Sequence, residues 1–409
     1  MSNFIASRWN KNISEKNTKK IIRIGSASIA LCFFVMVVSV CILDGFKTAL
    51  SNKVYGFGSH LQIVPYLFDT EDNDSNGTFK LDSNIKSLLV QNKSIKHFQT
   101  FLLQNGLLEG SEEIFGVVFK GLPSEYDHDF FQNNLIHGEM PVYSDSAYSA
   151  QILISQKIAD RLNVQAGENV KACFIVEADG ESALRPRSFT VCGIYRTGLE
   201  KFDQYFVFCD RKHLSRINGL HEDDVEGIEI TLFNPDDMYN VSAQLDDKLP
   251  YSLSCNTCDE LFPEIFDWLV LIDTNVWVML IIVLIVSLIS VVAILFIHIA
   301  DRSTHTMLLL SFGAGMPLIR AIFTRQTFFL LIRSMIYGNA LALLFCVLQN
   351  FTHFVSLNSE VYFLDSVPVG FPIMLLIALN ATSIVIAYIL LSVCTFVIRK
   401  MEWSKRNKL

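Results

Sequence analysis

The amino-acid sequence predicts a membrane protein with four transmembrane α-helices and a large α+β domain inserted between the first and second helices. Three observations lead to this prediction. The chain has a mean hydropathy of +0.36, its apolar residues are concentrated in four long runs, and a long polar segment separates the first run from the other three. A soluble domain would instead distribute its apolar residues at the periods of amphipathic helices and strands.

Each of the four apolar runs is long enough to cross a bilayer. Ile24–Leu43 and Val276–Ile297 contain no charged residue, Phe328–Leu348 is interrupted only by Arg333, and Phe371–Ile398 again contains no charge. A hydrocarbon core of about 30 Å needs about 20 residues at the rise of an α-helix. The predicted transmembrane helices are residues 24–43, 272–300, 321–349 and 371–398.

The distribution of basic residues predicts the orientation of these helices. Residues 1–23 and 399–409 are rich in Lys and Arg, whereas residues 350–370 contain neither. Loops on the cytoplasmic side of a membrane carry an excess of Lys and Arg. We therefore expect both terminal segments and the loop 301–320 in the cytoplasm, and residues 44–271 on the other side together with the loop 350–370.

The charge of the inserted domain argues against nucleic-acid binding. Residues 44–271 carry 35 acidic and 18 basic residues, a net charge of −17, in a chain whose total is −8. Such a surface repels a polyanion.

The sequence contains no P-loop, GxSxG or HExxH motif, and its histidines lack metal-ligand spacing. We expect no catalytic residues, no metal site and no cofactor bound by this chain, while the lone pair Cys255 and Cys258 leaves its redox state open.

The inserted segment has the pattern of a soluble α+β domain. Strands rich in β-branched and aromatic residues are predicted at Ile114–Leu122, Val170–Val176, Ser188–Tyr195, Gln204–Phe208 and Ile228–Leu232. Helices are predicted at Ser155–Asn163 and, behind the Asn-Pro-Asp-Asp start signal, at Asn234–Leu249. The Asn/Asp/Gly-rich stretch Asp69–Thr78 is predicted to be a polar loop.

Several short stretches resemble the permease subunits of the lipoprotein-releasing (Lol) ABC transporters. Phe4–Arg8 matches the Phe-Ile-Ala-x-Arg start of that family, and Val37–Leu61 resembles its "SVMNGF…GMGSHI" run. Ile154–Asn169 and Gly193–Gly198 match in type and order, and Val361–Val369 resembles the family's "YYIDKVPV" loop. The resemblance extends over nearly the whole chain.

The resemblance implies the surroundings in which the chain would work. A LolC/LolE-like permease of the FtsX/MacB-type superfamily is expected in the bacterial inner membrane, with a MacB-like periplasmic domain. It is not itself an enzyme. It depends on a separate LolD-like cytoplasmic ATPase, which uses ATP and Mg, and on a second permease copy or paralogue. Further expected partners are lipoprotein substrates, membrane lipids and a LolA-like periplasmic carrier.

The resemblance also implies three groups of site residues. The expected acyl-chain cavity is lined by Met36, Val40, Leu43, Phe46, Trp277, Leu280, Ile281 and Leu284. The expected ATPase-coupling segment contains Asp301, Arg302, Leu308, Leu309, Phe312 and Gly313. The expected carrier-binding hook, a hairpin tip, contains Val176, Glu177, Leu184, Arg185, Pro186 and Arg187.

Three alternative functions fit the sequence less well. A MacB-type mechanotransmission permease for efflux is disfavoured by the Val361–Val369 loop and by the absence of a fused ATPase in this sequence. An FtsX-like regulator of cell-wall hydrolases would have a much smaller external domain. A membrane-embedded enzyme would explain a charge inside an apolar run, but Arg333 lies close enough to the start of its run to extend its charged end to the membrane surface.

Overall fold

The computed structural model describes residues 16–66, 77–110, 113–143, 148–178, 181–357, 364 and 366–406. The chain forms two compact units. The helical unit comprises Met1–Thr48, Trp268–Ser356 and Ser366–Leu409, and the sheet unit comprises Ala49–Asp267 and Leu357–Asp365.

Short helices and strands are interspersed between the first and second long helices, and three further described helices follow. The helices are α1 (Lys16–Gly58), α2 (Ser83–Gln91), α3 (Asp129–Asn133), α4 (Gln156–Leu162), α5 (Glu200–Tyr205), α6 (Arg211–Asn218), α7 (Met238–Asp246), α8 (Cys258–Leu261), α9 (Pro263–Asp301), α10 (Ser303–Ser311), α11 (Met316–Thr352) and α12 (Ile373–Arg406). The strands are β1 (Leu61–Pro65), β2 (Phe79–Lys80), β3 (Ile95–Glu109), β4 (Ile114–Leu122), β5 (Leu135–Gly138), β6 (Gln151–Ser155), β7 (Asn169–Ala178), β8 (Glu181–Tyr195), β9 (Phe206–Asp210), β10 (Asp224–Val225), β11 (Gly227–Leu232) and β12 (Leu253–Thr257).

The predicted fold class is confirmed. In the part of the chain that the structure describes, four helices are long and apolar enough to cross a membrane, namely α1, α9, α11 and α12. All twelve described strands lie between α1 and α9. The helices extend beyond their apolar runs, since α1 continues past Leu43 to Gly58 and α9 begins at Pro263. Hydropathy marks only the apolar part of a helix, so the predicted domain limits at residues 44 and 271 fall inside helices.

The first and third membrane helices run in the same direction. Ser26 and Ser334 share a hydrogen bond of 2.7 Å between their hydroxyl oxygens. Farther along both helices, Cys41 and Cys346 belong to one buried cluster. Residue numbers therefore rise together along α1 and α11, as expected for the first and third spans of a chain that crosses a membrane repeatedly.

The second and fourth membrane helices run in the opposite direction. The hydroxyl oxygens of Ser28 of α1 and Ser290 of α9 lie 3.4 Å apart, and farther along α1 Val40 packs against Leu280. Residue numbers therefore rise along α1 while they fall along α9. The same holds between α11 and α12, where the Phe328 and Tyr388 rings lie 5.8 Å apart and Asn339 donates a 2.8 Å hydrogen bond to Asn380. Such polar contacts between helices add to apolar packing in a membrane.

The sheet unit is built on a mixed ten-stranded sheet within the described residues. Its order is β12-β1-β11-β3-β4-β9-β6-β8-β5, and β7 pairs with both β3 and β8. One apolar cluster around Phe119, Phe174 and Val207 packs against α4 and α6, and a second around Ile63 and Ile230 packs against α2 and α7. The sheet therefore has two separate hydrophobic cores along its length.

Local signals place some domain helices correctly and others incorrectly. Ser155 caps α4 by accepting a hydrogen bond from the Ile158 amide, and Asn163 ends it in the left-handed region. The predicted strand Gln204–Phe208 is wrong at its start because α5 includes its first two residues, where Asp203 is buried and bound to Thr197. The helix predicted to reach Leu249 ends at Asp246 and begins as one 3₁₀ turn at Pro235–Asp237. The predicted loop Asp69–Thr78 lies mostly outside the described residues.

Candidate functional sites

Four of the predicted cavity residues meet inside the helical unit. Met36 and Val40 of α1 and Leu280 of α9 are buried together, and Leu284 packs against them. Residues of α12 complete the cluster. These side chains already form tight apolar contacts within a single chain, so they close the space between α1 and α9.

The other four predicted cavity residues have different surroundings. Phe46 is buried beside the Trp268 ring, with the ring centroids 5.6 Å apart, and Leu43 is half-buried. Trp277 and Ile281 are 46% and 55% exposed, and both lie to the same side of the inward-facing Leu280 on the helix surface. The prediction therefore combined residues of an inner and an outer face of α9.

The outer face of α9 is an open apolar surface. Trp277, Ile281 and Ile285 are spaced four residues apart and are all exposed. Residues at this spacing form one stripe on a helix. Ile285 was missed from the sequence because α9 is apolar on every side and its pattern has no preferred face.

The middle of α1, just past its apolar run, contacts the segment that precedes α12. The Gly370 amide donates a 2.9 Å hydrogen bond to the Cys41 carbonyl oxygen. A methyl group on Gly45 would lie 2.5 Å from the Gly370 nitrogen and 2.6 Å from the Val369 carbonyl carbon. The two backbones approach this closely because both contact positions are glycines.

The predicted coupling segment forms a short helix with an apolar exposed side. Leu308 and Phe312 are exposed, the latter by 86%, while Leu309 is half-buried. Gly313 ends the segment with a φ of +84°, and its amide donates to the Leu310 carbonyl oxygen. Met307, which is also exposed, belongs to this surface and was not predicted.

Polar contacts hold the start of the coupling segment. Arg302 is buried, and its Nε lies 3.3 Å from a carboxylate oxygen of Asp301. Behind it, His298 Nδ1 and the Thr327 hydroxyl are 3.4 Å apart between α9 and α11. Asp301 and Arg302 therefore anchor the segment at its origin, while Leu308 and Phe312 remain available to a partner.

The predicted hook lies in a paired β-hairpin, whose strands extend farther toward the tip than the predicted strands. Its strands β7 and β8 remain in register up to Ala178 and Glu181. Ile175 faces Leu184 across the hairpin, and both are exposed. Ile175 was not predicted as a hook residue. Val176 points to the buried side, and the side chain of Glu177 lies outside the described residues.

The basic residues of the hairpin have different roles. Arg185 donates a 2.6 Å hydrogen bond to the Ile217 carbonyl at the end of α6, whereas Pro186 and Arg187 are exposed. Burial, followed by the positive charges of Arg187 and Arg216, lowers the pKa of His213 on α6. Arg185 therefore ties the hairpin to α6, and Arg187 remains at the surface.

The chain is similar to two known transmembrane proteins over most of its length. It is 20% identical to the lipoprotein-releasing system transmembrane protein LolE of Haemophilus influenzae over 380 residues, which cover 89% of each chain. It is 20% identical to the lipoprotein-releasing system transmembrane protein LolC of Buchnera aphidicola over 386 residues, 93% of this chain and 92% of the relative. No family model matches the chain.

Two solved structures show weaker similarity to part of the chain. The extracellular domain of the noncanonical ABC-type transporter YknZ from Gram-positive bacteria is 16% identical, with a TM-score of 0.33, and covers 48% of this chain and 99% of its own. The periplasmic region of MacB from Actinobacillus actinomycetemcomitans is 12% identical, with a TM-score of 0.36, and covers 53% of this chain and 97% of its own.

The full-length similarity agrees with the architecture. The described residues contain four apolar helices, with the sheet-containing segment between the first and second. The two relatives match about nine-tenths of this chain and of themselves. The chain is therefore LolC/LolE-like over most of its length, with four described helices long and apolar enough to cross a membrane.

Proposed function

We propose that this chain is the permease subunit of an ATP-driven transporter that releases lipoproteins from the inner membrane for delivery to the outer membrane. The observation that carries the proposal is the exposed apolar stripe of Trp277, Ile281 and Ile285 on α9. It occurs in a chain similar along its length to two proteins named for lipoprotein release. Both termini would then be cytoplasmic and the sheet unit periplasmic, as the basic terminal segments predict.

The apolar stripe matches the physical problem of lipoprotein release. Moving an acyl chain out of the bilayer costs about 0.8 kcal/mol for each CH₂ group that becomes exposed to water. A surface that contains Trp277 and Ile281 lowers this cost because its apolar side chains cover the acyl chain. A second copy or a paralogous permease, placed against this stripe, would enclose the cavity.

The energy for release must come from a partner. The chain has no P-loop, so ATP and Mg would be bound by a separate LolD-like cytoplasmic ATPase. The exposed Leu308 and Phe312 form the apolar contact that such a partner would cover. The exposed pair Ile175 and Leu184 on the hairpin would contact a LolA-like carrier. The chain itself is proposed to be non-catalytic.

A site-specific photo-crosslinker tests the release function. At Ile281, which is exposed, we expect capture of a lipidated substrate, and the yield should fall when the acylated cysteine of the substrate is replaced. The matched control is the neighbouring Leu280, which is buried within the chain and should capture at most a small fraction of that amount. Equal labelling at both positions, or labelling independent of acylation, would contradict an acyl site on α9.

One observation favours a second candidate, MacB-type mechanotransmission. Helix α1 is continuous from the membrane-spanning run to Gly58, where Lys120 binds the Phe57 carbonyl. A continuous helix fixed at its end can transmit a movement without any substrate touching α9. In that case crosslinking from Ile281 would not depend on acylation, although ATPase stimulation would persist.

A further inference from the structure

Arg333 lies on the exposed side of α11 with few contacts. Its Nη2 donates a 3.3 Å hydrogen bond to the Tyr337 hydroxyl, and its Cζ lies 5.5 Å from the centre of that ring. The ion pairs among the described residues do not include Arg333. Both contacts are with the next turn of the same helix, so most of the guanidinium donors face outward.

Contacts with α1 define the depth of Arg333 in the membrane. The adjacent Ser334 is hydrogen-bonded to Ser26, and a methyl group on Gly338 would touch the Ala30 carbonyl oxygen. Ser26 is the third residue of the charge-free run that starts at Ile24. Arg333 therefore lies at one boundary of the hydrocarbon layer, on the side where α1 begins.

A guanidinium at this position requires acceptors from its surroundings. Arginine has five N–H donors in a planar fork, of which one contacts Tyr337. A charge left without partners at the edge of the hydrocarbon is costly. Phosphate oxygens match the fork in charge and spacing, and the phosphates of a bilayer lie at this boundary.

The surface next to Arg333 on the membrane side is apolar. Ile336, Leu341 and Leu344 of α11 are all exposed. They continue from Arg333 toward the middle of the membrane, since residue numbers along α11 rise in parallel with those of α1. A bound molecule with a phosphate at Arg333 would therefore have an acyl chain along these three side chains.

We propose that Arg333 and Tyr337 bind the phosphate of an anionic phospholipid in the leaflet where α1 begins. Arg333 supplies the charge and two donors, and the Tyr337 hydroxyl holds the guanidinium in position and adds a donor. Ile336, Leu341 and Leu344 hold one acyl chain. The proposal does not depend on lipoprotein release, because it concerns only the outer surface of α11.

Native mass spectrometry of the full-length protein, reconstituted with phosphatidylglycerol or phosphatidylcholine, tests this proposal. Arg333→Gln should reduce retained phosphatidylglycerol about fivefold, the effect of about 1 kcal/mol for one basic residue near an anionic surface. Arg333→Lys, which keeps the charge but not the planar fork, should retain an intermediate amount. Leu348→Gln, an exposed position near the other end of α11, is the matched control and should leave retention unchanged.

Four results would overturn the proposal. One is unchanged phosphatidylglycerol retention in Arg333→Gln. Another is equal retention of the two lipids by the unmodified protein, and the third is displacement of the lipid by millimolar inorganic phosphate, which would indicate a free-anion site. A change in oligomeric mass without a change in lipid retention would assign this surface to a second copy and also contradict it. If Arg333→Gln fails to insert, Arg333→Lys and Tyr337→Phe carry the test, each with reduced retention expected.

Discussion

Lys120 and Glu229 form a buried ion pair inside the sheet unit, with Nζ and Oε1 2.5 Å apart. Lys120 also donates a 3.1 Å hydrogen bond to the Phe57 carbonyl, and Gln62 binds both the Gly58 carbonyl and Glu229. The last carbonyls of a helix lack partners within the helix and favour a nearby cation. Lys120 therefore supplies a hydrogen-bond donor to a carbonyl oxygen at the end of α1. Through its ion pair with Glu229, it also joins this end of the helix to β4 and β11.

Removing one member of this pair should destabilise the sheet unit strongly. Lys120→Met leaves Glu229 buried without its cation, and we expect a loss of about 3–5 kcal/mol. The double variant Lys120→Met/Glu229→Leu should lose much less, because no charge remains buried. Hydrogen exchange of the β4 and β11 amides measures the loss, with Lys171→Met, in an exposed pair with Glu109, as the control. Equal losses in the single and double variants would contradict a role for the unpaired charge.

A side chain at Gly45 should disrupt the contact between α1 and the segment before α12. Gly45→Ala places a methyl group 2.5 Å from the Gly370 nitrogen, so one backbone must move, at an expected cost of about 1–3 kcal/mol. The melting temperature of the purified protein should fall. Gly116→Ala, where no atom lies within 4 Å of the added methyl, should change it far less. An unchanged melting temperature for Gly45→Ala would show that this contact opens at little cost.

His60 should make the sheet unit less stable in acid. Burial, with a smaller effect of Lys96, lowers its pKa to about 4, and the Leu232 amide donates to its Nδ1. In the unfolded chain the pKa of the His60 side chain is about 6.5. As the pH falls, the unfolded state therefore binds a proton at His60 before the folded state does. The contribution of neutral His60 to the free energy of unfolding is fully present above about pH 6.5 and is lost progressively between about pH 6.5 and 4.

Variants of His60 test this pH dependence. His60→Asn supplies a carbonyl oxygen near the position of Nδ1 without a titrating ring. Its unfolding free energy, measured by hydrogen exchange between pH 7.5 and 5, should change less with pH than that of the unmodified protein. The exposed residue His137 provides the control His137→Gln, which should retain the full pH dependence. Equal pH dependence in all three proteins would rule out His60 as its source.

The coupling segment should lose its partner when its exposed apolar side is charged. Phe312→Glu places a carboxylate where an apolar groove of the ATPase would close over it, and burying an unpaired charge is costly. Co-purification of the ATPase should fall at least about tenfold, corresponding to about 1.4 kcal/mol. Phe351→Glu, at an exposed phenylalanine near the other end of α11, is the matched control. Unchanged co-purification with Phe312→Glu would exclude docking on this side of the segment.

The candidate sites were predictable to different degrees. Leu308 and Phe312 were expected in the coupling segment from the family resemblance, and the structure places both side chains at its surface. Met36 and Leu280 were assigned to an open cavity, although they pack inside the chain. The difference in exposure among the predicted cavity residues has a physical cause. In a helix that is apolar all round, such as α9, hydropathy does not distinguish a packed face from an exposed one.

Local composition was enough to predict the number of membrane helices, the inserted position of the α+β domain and the ends of the short helix α4. These properties depend on local composition, and a long charge-free run or a capping residue such as Ser155 specifies them without distant contacts. The tertiary structure alone decided that Ile281 is exposed, that Lys120 meets Glu229 and that Gly45 meets Gly370. Each of these relations depends on the relative placement of separate helices or strands, and no local pattern of residues encodes that placement.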